Sequence, residues 1–136
     1  MLEQWPDGRV KLFTMAAALR FRRAHPSLFL TGEYEELGSD AHDPHLVSFS
    51  RRNAEREVVV VVPRFVATLL TGAPVLPFGM EHWRAASIPL PRRLARARLV
   101  NIFTGEVAEP VAYRDESWLL AGSVFQSWPV AMFVVV

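Results

Sequence analysis

The hydrophobic residues between positions 9 and 24 recur at helical spacing and fall into two stripes. One stripe consists of Val10, Phe13, Ala17 and Phe21, and the other consists of Leu12, Met15, Ala16 and Leu19. No glycine or proline interrupts this segment, which predicts a helix over residues 9–24 with Asp7 as its N-cap and Pro26 as its stop. A surface helix needs only one apolar stripe. We therefore expect one stripe to pack on the rest of the chain and the other to remain largely uncovered, facing a second body.

After Pro26 the hydrophobic pattern changes to a period of two residues, which is typical of short strands joined by turns. The predicted strands cover residues 33–37, 46–52, 58–62, 83–90, 96–101, 118–121 and 130–136. The continuous apolar run at 58–62 is typical of a central strand buried on both faces. Residues 65–70 are ambiguous between a short helix and irregular chain, and 73–79 are typical of a loop. The pattern predicts a mainly β fold, an antiparallel sandwich or barrel, preceded by one N-terminal α-helix.

Composition and charge restrict the function classes. A chain of 136 residues fits one domain, and its formal net charge of +1 provides no global field to recruit nucleic acid or an acidic membrane. It has no cysteine, which excludes disulfides and thiolate metal sites and fits a reducing cytosol. The first six residues lack a signal-peptide pattern, and the apolar runs 58–63 and 129–136 are far shorter than the ~20 residues that span a bilayer. We therefore expect a cytoplasmic chain with no nucleic-acid or membrane partner.

One cluster has residue types that bind divalent metal ions. It consists of Asp40, His42, Asp43 and His45. The cluster lies in a predicted hairpin turn, where aspartate and proline are common for conformational reasons, and structural sites usually need four well-placed ligands. We expect a solvated loop that holds no metal ion. The carboxylates elsewhere form no paired motif, and no phosphate-binding or dinucleotide-binding motif occurs, so no catalytic residue and no cofactor are assigned.

Two further groups of residues could recognise a ligand. The basic group consists of Arg92, Arg93, Arg96 and Arg98. It could meet phosphate, but no aromatic residues are interleaved with it, and we expect it to be a solvated turn and strand face. The four tryptophans are Trp5, Trp83, Trp118 and Trp128. They could stack on sugar rings if exposed, but their expected role is packing, so we expect weak or no binding of maltodextrin.

Several motifs resemble malto-oligosyltrehalose synthases, members of glycoside hydrolase family 13 in the α-amylase superfamily. Residues 5–13, WPDGRVKLF, look like the last barrel helix of these enzymes, and the likeness continues through 19–29 and 32–34. Residues 45–51 and 62–64 are similar to strands of the family's β-domain, and 101–106 fit its Asn-x-x-Thr-Gly turn. Residues 125–131 resemble the family's C-terminus, where Trp128 replaces the usual phenylalanine. An acidic residue often found shortly after the tryptophan at Trp83 is also absent, with Ala85 and Ala86 there.

The resemblance implies a division of the chain and a function. Residues 1–29 would be the last helix of a catalytic (β/α)₈ barrel and its connection, and 30–136 would be the C-terminal β-sandwich domain. The family enzyme converts the reducing-end α-1,4 bond of a maltooligosaccharide into an α,α-1,1 bond in trehalose biosynthesis, by intramolecular transglucosylation. Its aspartate nucleophile and glutamate acid/base lie on the barrel. The chain alone would thus be inactive.

The resemblance also implies a partner, and it leaves alternatives open. The partner would be the catalytic barrel of the same polypeptide, and the maltooligosaccharide would bind to that barrel. Without the barrel, the helix at 9–24 is expected to mediate concentration-dependent association, such as a homodimer. One alternative is an independent carbohydrate-binding module. Another is the C-terminal domain of a different α-amylase-type enzyme, against which residues 5–11 argue.

Overall fold

The computed structural model describes residues 2–39, 43–71 and 75–136. In these segments the helices are α1 (Arg9–Ala24), α2 (Pro26–Leu30), α3 (Val66–Leu69), α4 (Met80–Trp83) and α5 (Ala121–Val124), and 3₁₀ segments cover Leu2–Asp7 and Arg92–Leu94. The strands are β1 (Glu33–Glu36), β2 (Leu46–Arg52), β3 (Glu57–Pro63), β4 (Ser87–Leu90), β5 (Leu99–Asn101), β6 (Val107–Ala108), β7 (Val111–Tyr113), β8 (Glu116–Leu120) and β9 (Ala131–Val135). Within these ranges, no helix is both long and apolar enough to cross a bilayer.

The strands form two antiparallel sheets, which confirms the mainly β prediction. The larger sheet has the order β1-β2-β3-β9-β5-β6, and the smaller sheet has the order β4-β8-β7. The valine-rich strand β3 lies between β2 and β9, as expected of a central strand. Val58, Val59 and Val61 are fully buried. Because neighbouring side chains of a strand point to opposite faces, this run is buried on both faces of the sheet.

One hydrophobic core joins the two sheets. It includes Val59 and Phe133 from the larger sheet and Ile88 and Leu119 from the smaller one. The opposite face of the larger sheet meets α2. There, the guanidinium of Arg51 on β2 donates a hydrogen bond to a carbonyl of α2. Helix α2 is thus attached to the face of the sheet that points away from the core, and Phe21 of α1 packs against Phe29 of α2.

The helix predicted over residues 9–24 is present with those bounds. Its N-cap is Gly8, in the left-handed conformation with φ 83°, one residue later than predicted. The Asp7 carboxylate still accepts a hydrogen bond from the backbone N–H of Arg9 at 3.0 Å. Pro26 ends α1 as predicted and also occupies the first position of α2, where its missing N–H costs nothing. The ambiguous segment 65–70 contains the short helix α3.

Two predicted strands are shorter than expected. The strand over 83–90 is wrong in its first half, because Trp83 closes helix α4 and the strand begins at Ser87. The Trp83 ring packs against Phe125 with a centroid distance of 4.7 Å, and its indole N–H donates to the Pro77 carbonyl at 2.9 Å. The strand over 96–101 is also wrong at its start, because it begins at Leu99. At Trp83, core packing of the ring overrides the local alternation. Before Leu99, the backbone N–H of Ala97 donates to the Leu94 carbonyl oxygen at 3.1 Å, so the chain forms a turn there instead of a strand.

The remaining predictions differ from the structure by small shifts. The predicted strands 118–121 and 130–136 correspond to β8 and β9. The described part of the predicted loop, residues 75–79, contains neither helix nor strand. Strands β6 and β7 were not predicted. They contain two and three residues, and such lengths carry almost no periodic signal.

Candidate functional site

Helix α1 exposes one of its two apolar stripes. Leu12, Met15 and Leu19 have exposed fractions of 69%, 50% and 57%. Their spacing of three, four and seven residues places them on one side of the helix. Ala16 lies between them and is half-buried. We call these four residues the open face of α1.

The other stripe holds α1 against the rest of the chain. Val10 is buried, and the Phe13 ring meets the Trp128 ring edge-on with a centroid distance of 5.3 Å. The indole N–H of Trp128 donates a hydrogen bond to the Thr14 hydroxyl oxygen at 3.1 Å. At the far end of the helix, Phe21 packs against Phe29 of α2 with a centroid distance of 6.1 Å. One stripe therefore packs on the rest of the chain, as expected, although Phe13 itself stays exposed. The other stripe remains largely uncovered, which confirms that part of the expectation.

The surroundings of the open face are basic. Helix α1 contains Arg9, Lys11, Arg20, Arg22 and Arg23, all exposed, and no acidic residue. Because each residue turns the helix by about 100°, Arg9 and Arg20 flank the open face on one side and Lys11 and Arg22 flank it on the other. Among the described residues, the only ion pair made by these cations joins Arg9 and Asp7 at 2.6 Å. The open face is thus an apolar strip between two rows of cations, and Arg23, four residues after Leu19, lies in line with the strip at its C-terminal end.

The hydrogen bond at the start of α1 also affects a carboxyl group. The backbone N–H of Arg9 donates to Asp7, and this bond is the main cause that lowers the pKa of Asp7 below its ordinary value. The Arg9 side chain adds a second hydrogen bond and a favourable charge. Asp7 therefore stays ionised to lower pH than a free aspartate, and it compensates the one cation of α1 that lies next to it.

The metal-like cluster is only partly within the described residues, because Asp40 and His42 lie outside them. The Asp43 carboxylate accepts a hydrogen bond from the backbone N–H of His45 at 2.8 Å, which is turn geometry. The His45 ring nitrogen Nδ1 lies 3.3 Å from the Arg64 carbonyl oxygen. Within residues 2–39, 43–71 and 75–136, no group of three or more potential ligands could hold a metal ion.

The predicted basic group does not act as one patch, because Arg93 is engaged in an ion cluster. Its guanidinium lies 2.9 Å from a Glu57 carboxylate oxygen and also donates to Glu35 and Ser50. Burial opposes the charge, but the hydrogen bonds to Glu57 and Glu35 raise the pKa of Arg93 above its ordinary value. Arg98 lies 3.9 Å from Glu109, at the limit of an ion pair. Arg93 therefore connects the 3₁₀ segment to β1, β2 and β3, and its charge is not free for a phosphate.

The four tryptophans have different environments. Trp83 and Trp128 are 2% and 8% exposed, as expected for packing residues, whereas Trp5 is 37% exposed. Trp118 is half-buried on the outer face of the smaller sheet. It lines a cleft of about 390 Å³ together with Val111, Tyr113 and Leu120, among others. The alternating apolar residues of β7 and β8 produce this cleft, but the three-residue strand β7 is too short for its pattern to predict it.

Comparison with known protein families, with curated proteins and with solved structures finds no match to the chain. The candidate site is therefore identified from the structure of the chain alone. The open face of α1 combines exposed large apolar side chains with flanking cations, of which all but Arg9 lack an acidic partner among the described residues. The opposite side of the helix packs on the rest of the chain. These properties are typical of an interaction surface rather than of a reaction centre.

Proposed function

We propose that this chain is the C-terminal β-sandwich domain of a malto-oligosyltrehalose synthase, residues 30–136, preceded by the last helix of the catalytic barrel, residues 1–29. The domain braces the barrel, and the barrel performs the transglucosylation of maltooligosaccharides in the cytoplasm. The motif resemblance of residues 5–13 and 125–131 suggests the family. The observation that carries the proposal is the open face of α1, which is exposed over Leu12, Met15 and Leu19.

The open face needs a neighbour for an energetic reason. Leaving apolar surface in water costs about 25 cal/mol per Å², and exposed apolar patches on a domain usually mark interfaces. Its partner cannot be the β-domain, because Thr14 and Phe13 already fix the opposite side of α1 to Trp128. A barrel helix lying beside α1 would cover the open face, as neighbouring helices of a (β/α)₈ barrel cover one another.

The first test is enzymatic. In this proposal the nucleophile and the acid/base lie on the barrel, and loss of such groups removes many orders of magnitude in rate. We expect the purified chain not to consume the reducing ends of maltopentaose. Rapid loss of reducing ends with the pure chain would overturn the proposal.

The second test asks for the barrel itself. The reading frame upstream of Met1 should encode a (β/α)₈ barrel, and the joined polypeptide should convert maltopentaose. In that polypeptide, the triple substitution Leu12→Gln, Met15→Gln and Leu19→Gln should accelerate thermal inactivation. A matched control replaces Val107 and Val136, which are 41% and 67% exposed outside α1, with glutamine.

The outcomes of the second test are distinct. Faster inactivation in the triple variant alone supports a barrel contact through the open face. Equal inactivation of the triple variant and the control would contradict this contact. An upstream frame that encodes a different kind of domain would contradict the family assignment.

A second candidate function, a carbohydrate-binding module, is favoured by the cleft beside Trp118. A second cleft, of about 720 Å³, is also lined by this tryptophan and includes Arg92, Asp115 and Glu116. Aromatic rings with polar groups nearby suit sugar rings. Titration with maltoheptaose separates the two candidates. Binding with a dissociation constant below about 100 μM, or roughly −5.5 kcal/mol, would favour the module if the change Trp118→Ala abolishes that binding.

A further inference from the structure

We infer that the open face of α1 docks onto an apolar protein surface whose rim is acidic, and that a second copy of α1 is a poor partner. This inference rests on the proposed function, since there the partner surface belongs to the catalytic barrel. It adds the charge that the partner surface must carry.

The charge of α1 is concentrated. The helix has five cationic residues and no acidic residue, whereas the whole chain has a formal net charge of +1. Favourable interaction with the helix dipole explains cations in the last turn, where Arg22 and Arg23 lie. It does not explain Lys11, because a cation near the first turn opposes the dipole. Lys11 and Arg20 have no ion-pair partner among the residues that the structure describes.

The positions of these charges define the partner. Arg9 and Arg20 flank the open face on one side, and Lys11 and Arg22 flank it on the other. A partner that covers Leu12 and Leu19 therefore brings its own rim within reach of both rows. Carboxylates on that rim would attract the rows, whereas lysines or arginines would repel them. Complementarity requires an apolar centre with acidic edges.

The same charges argue against pairing of two α1 helices. In a symmetric dimer through the open faces, each row of cations would lie beside a row of cations of the second copy. Like charges across an interface disfavour association, as they do at the flanking positions of coiled coils. The homodimer expected from the two apolar stripes alone should therefore be weak at low salt and become stronger when salt screens the repulsion.

A membrane surface is a less suitable partner than a protein. Residues 12–19 span about 10 Å of helix, and the exposed strip contains no aromatic residue. Helices that lie in a bilayer surface usually present a broad apolar face with tryptophan or phenylalanine. Phe13 is 38% exposed, but its ring packs on Trp128, and the Phe21 ring packs on Phe29. The narrow open face fits a groove between side chains.

The test uses the intact chain and two synthetic helical peptides. Both peptides have a row of leucines over about three heptads. Glutamates flank this row in one peptide and lysines flank it in the other, so that two copies of the same peptide repel each other. At about 50 mM NaCl we expect the glutamate peptide to bind at least tenfold more tightly than the lysine peptide, and at about 500 mM NaCl the difference should fall below about threefold. Calorimetry measures the binding, and sedimentation measures the size of the chain alone.

Two variants separate the apolar and the charged contributions. The triple variant Leu12→Gln, Met15→Gln and Leu19→Gln should lose binding of both peptides. The variant Lys11→Gln with Arg20→Gln should retain binding but lose most of its salt dependence. All these side chains are exposed, and an unchanged far-ultraviolet circular dichroism spectrum verifies that each variant is folded.

Three results would overturn the inference. The first is equal binding of the two peptides or binding of neither. The second is a dimer at low salt that the triple variant dissociates. The third is stronger binding of the chain to phosphatidylserine-containing vesicles than to the glutamate peptide. None of these results bears on the reading frame upstream or on the activity of the joined polypeptide, which test the proposed function separately.

Discussion

The contact between Trp128 and Thr14 allows a quantitative prediction about how α1 is held. Trp128 is 8% exposed, and its indole N–H donates to the Thr14 hydroxyl oxygen at 3.1 Å. The Thr14 hydroxyl in turn donates to the Val10 carbonyl at 2.8 Å. The change Trp128→Phe tests this contact. It keeps an aromatic ring but removes the donor.

The magnitude follows from the two lost interactions. The net contribution of one hydrogen bond is about 0.5–1.5 kcal/mol, and the smaller ring leaves part of the site unfilled. We expect Trp128→Phe to reduce the free energy of unfolding by about 1–2.5 kcal/mol. Thr14→Val removes the acceptor and leaves the indole N–H without a partner, at a cost of about 1–3 kcal/mol. The double variant should be less destabilised than the sum, by about 0.5–1.5 kcal/mol.

Urea unfolding measures this coupling. Far-ultraviolet circular dichroism is the appropriate signal, since tryptophan fluorescence changes when Trp128 is replaced. Thr14→Ser serves as the control because it keeps the hydroxyl, and its stability should lie close to that of the unaltered chain. Additive effects of Trp128→Phe and Thr14→Val would refute the reasoning, because they would mean that the two side chains do not interact in solution.

Three further predictions concern stability and pH. Arg93→Met should reduce the free energy of unfolding by about 1–3 kcal/mol in urea, because the Glu57 side chain, 14% exposed, loses its partner; an unchanged midpoint would contradict this. Gly122→Ala should lower the melting temperature, because the added Cβ would lie 1.9 Å from the sulfur and 3.0 Å from the Cα of Met80. The lowered pKa of Asp7 stabilises the start of α1 above the ordinary aspartate pKa, and this contribution disappears as the pH falls through the folded pKa. Amide NMR signals at the start of α1 should therefore titrate in acid, and Asp7→Asn should abolish that titration.

The sequence alone determined the features that depend on local periodicity. Helix α1 has the predicted bounds because an uninterrupted segment with helical spacing has few alternatives, and the glycine and proline around it limit its length. The valine run of β3 became a central strand because β-branched apolar residues satisfy burial on both faces. The uncovered second stripe was also predictable, since one helix face can pack on only one body.

The tertiary structure alone decided which distant residues meet. Arg93 was indistinguishable from its basic neighbours until the fold brought it to Glu35 and Glu57, 58 and 36 residues away along the chain. Trp83 ended a helix rather than starting a strand, because its ring found a place against Phe125 in the core. The spacing of hydrophobic residues along a segment reflects the period of its own helix or strand, so it can be read without the rest of the chain. Pairing across the chain depends on strand order and register, and these exist only once the sheets have formed.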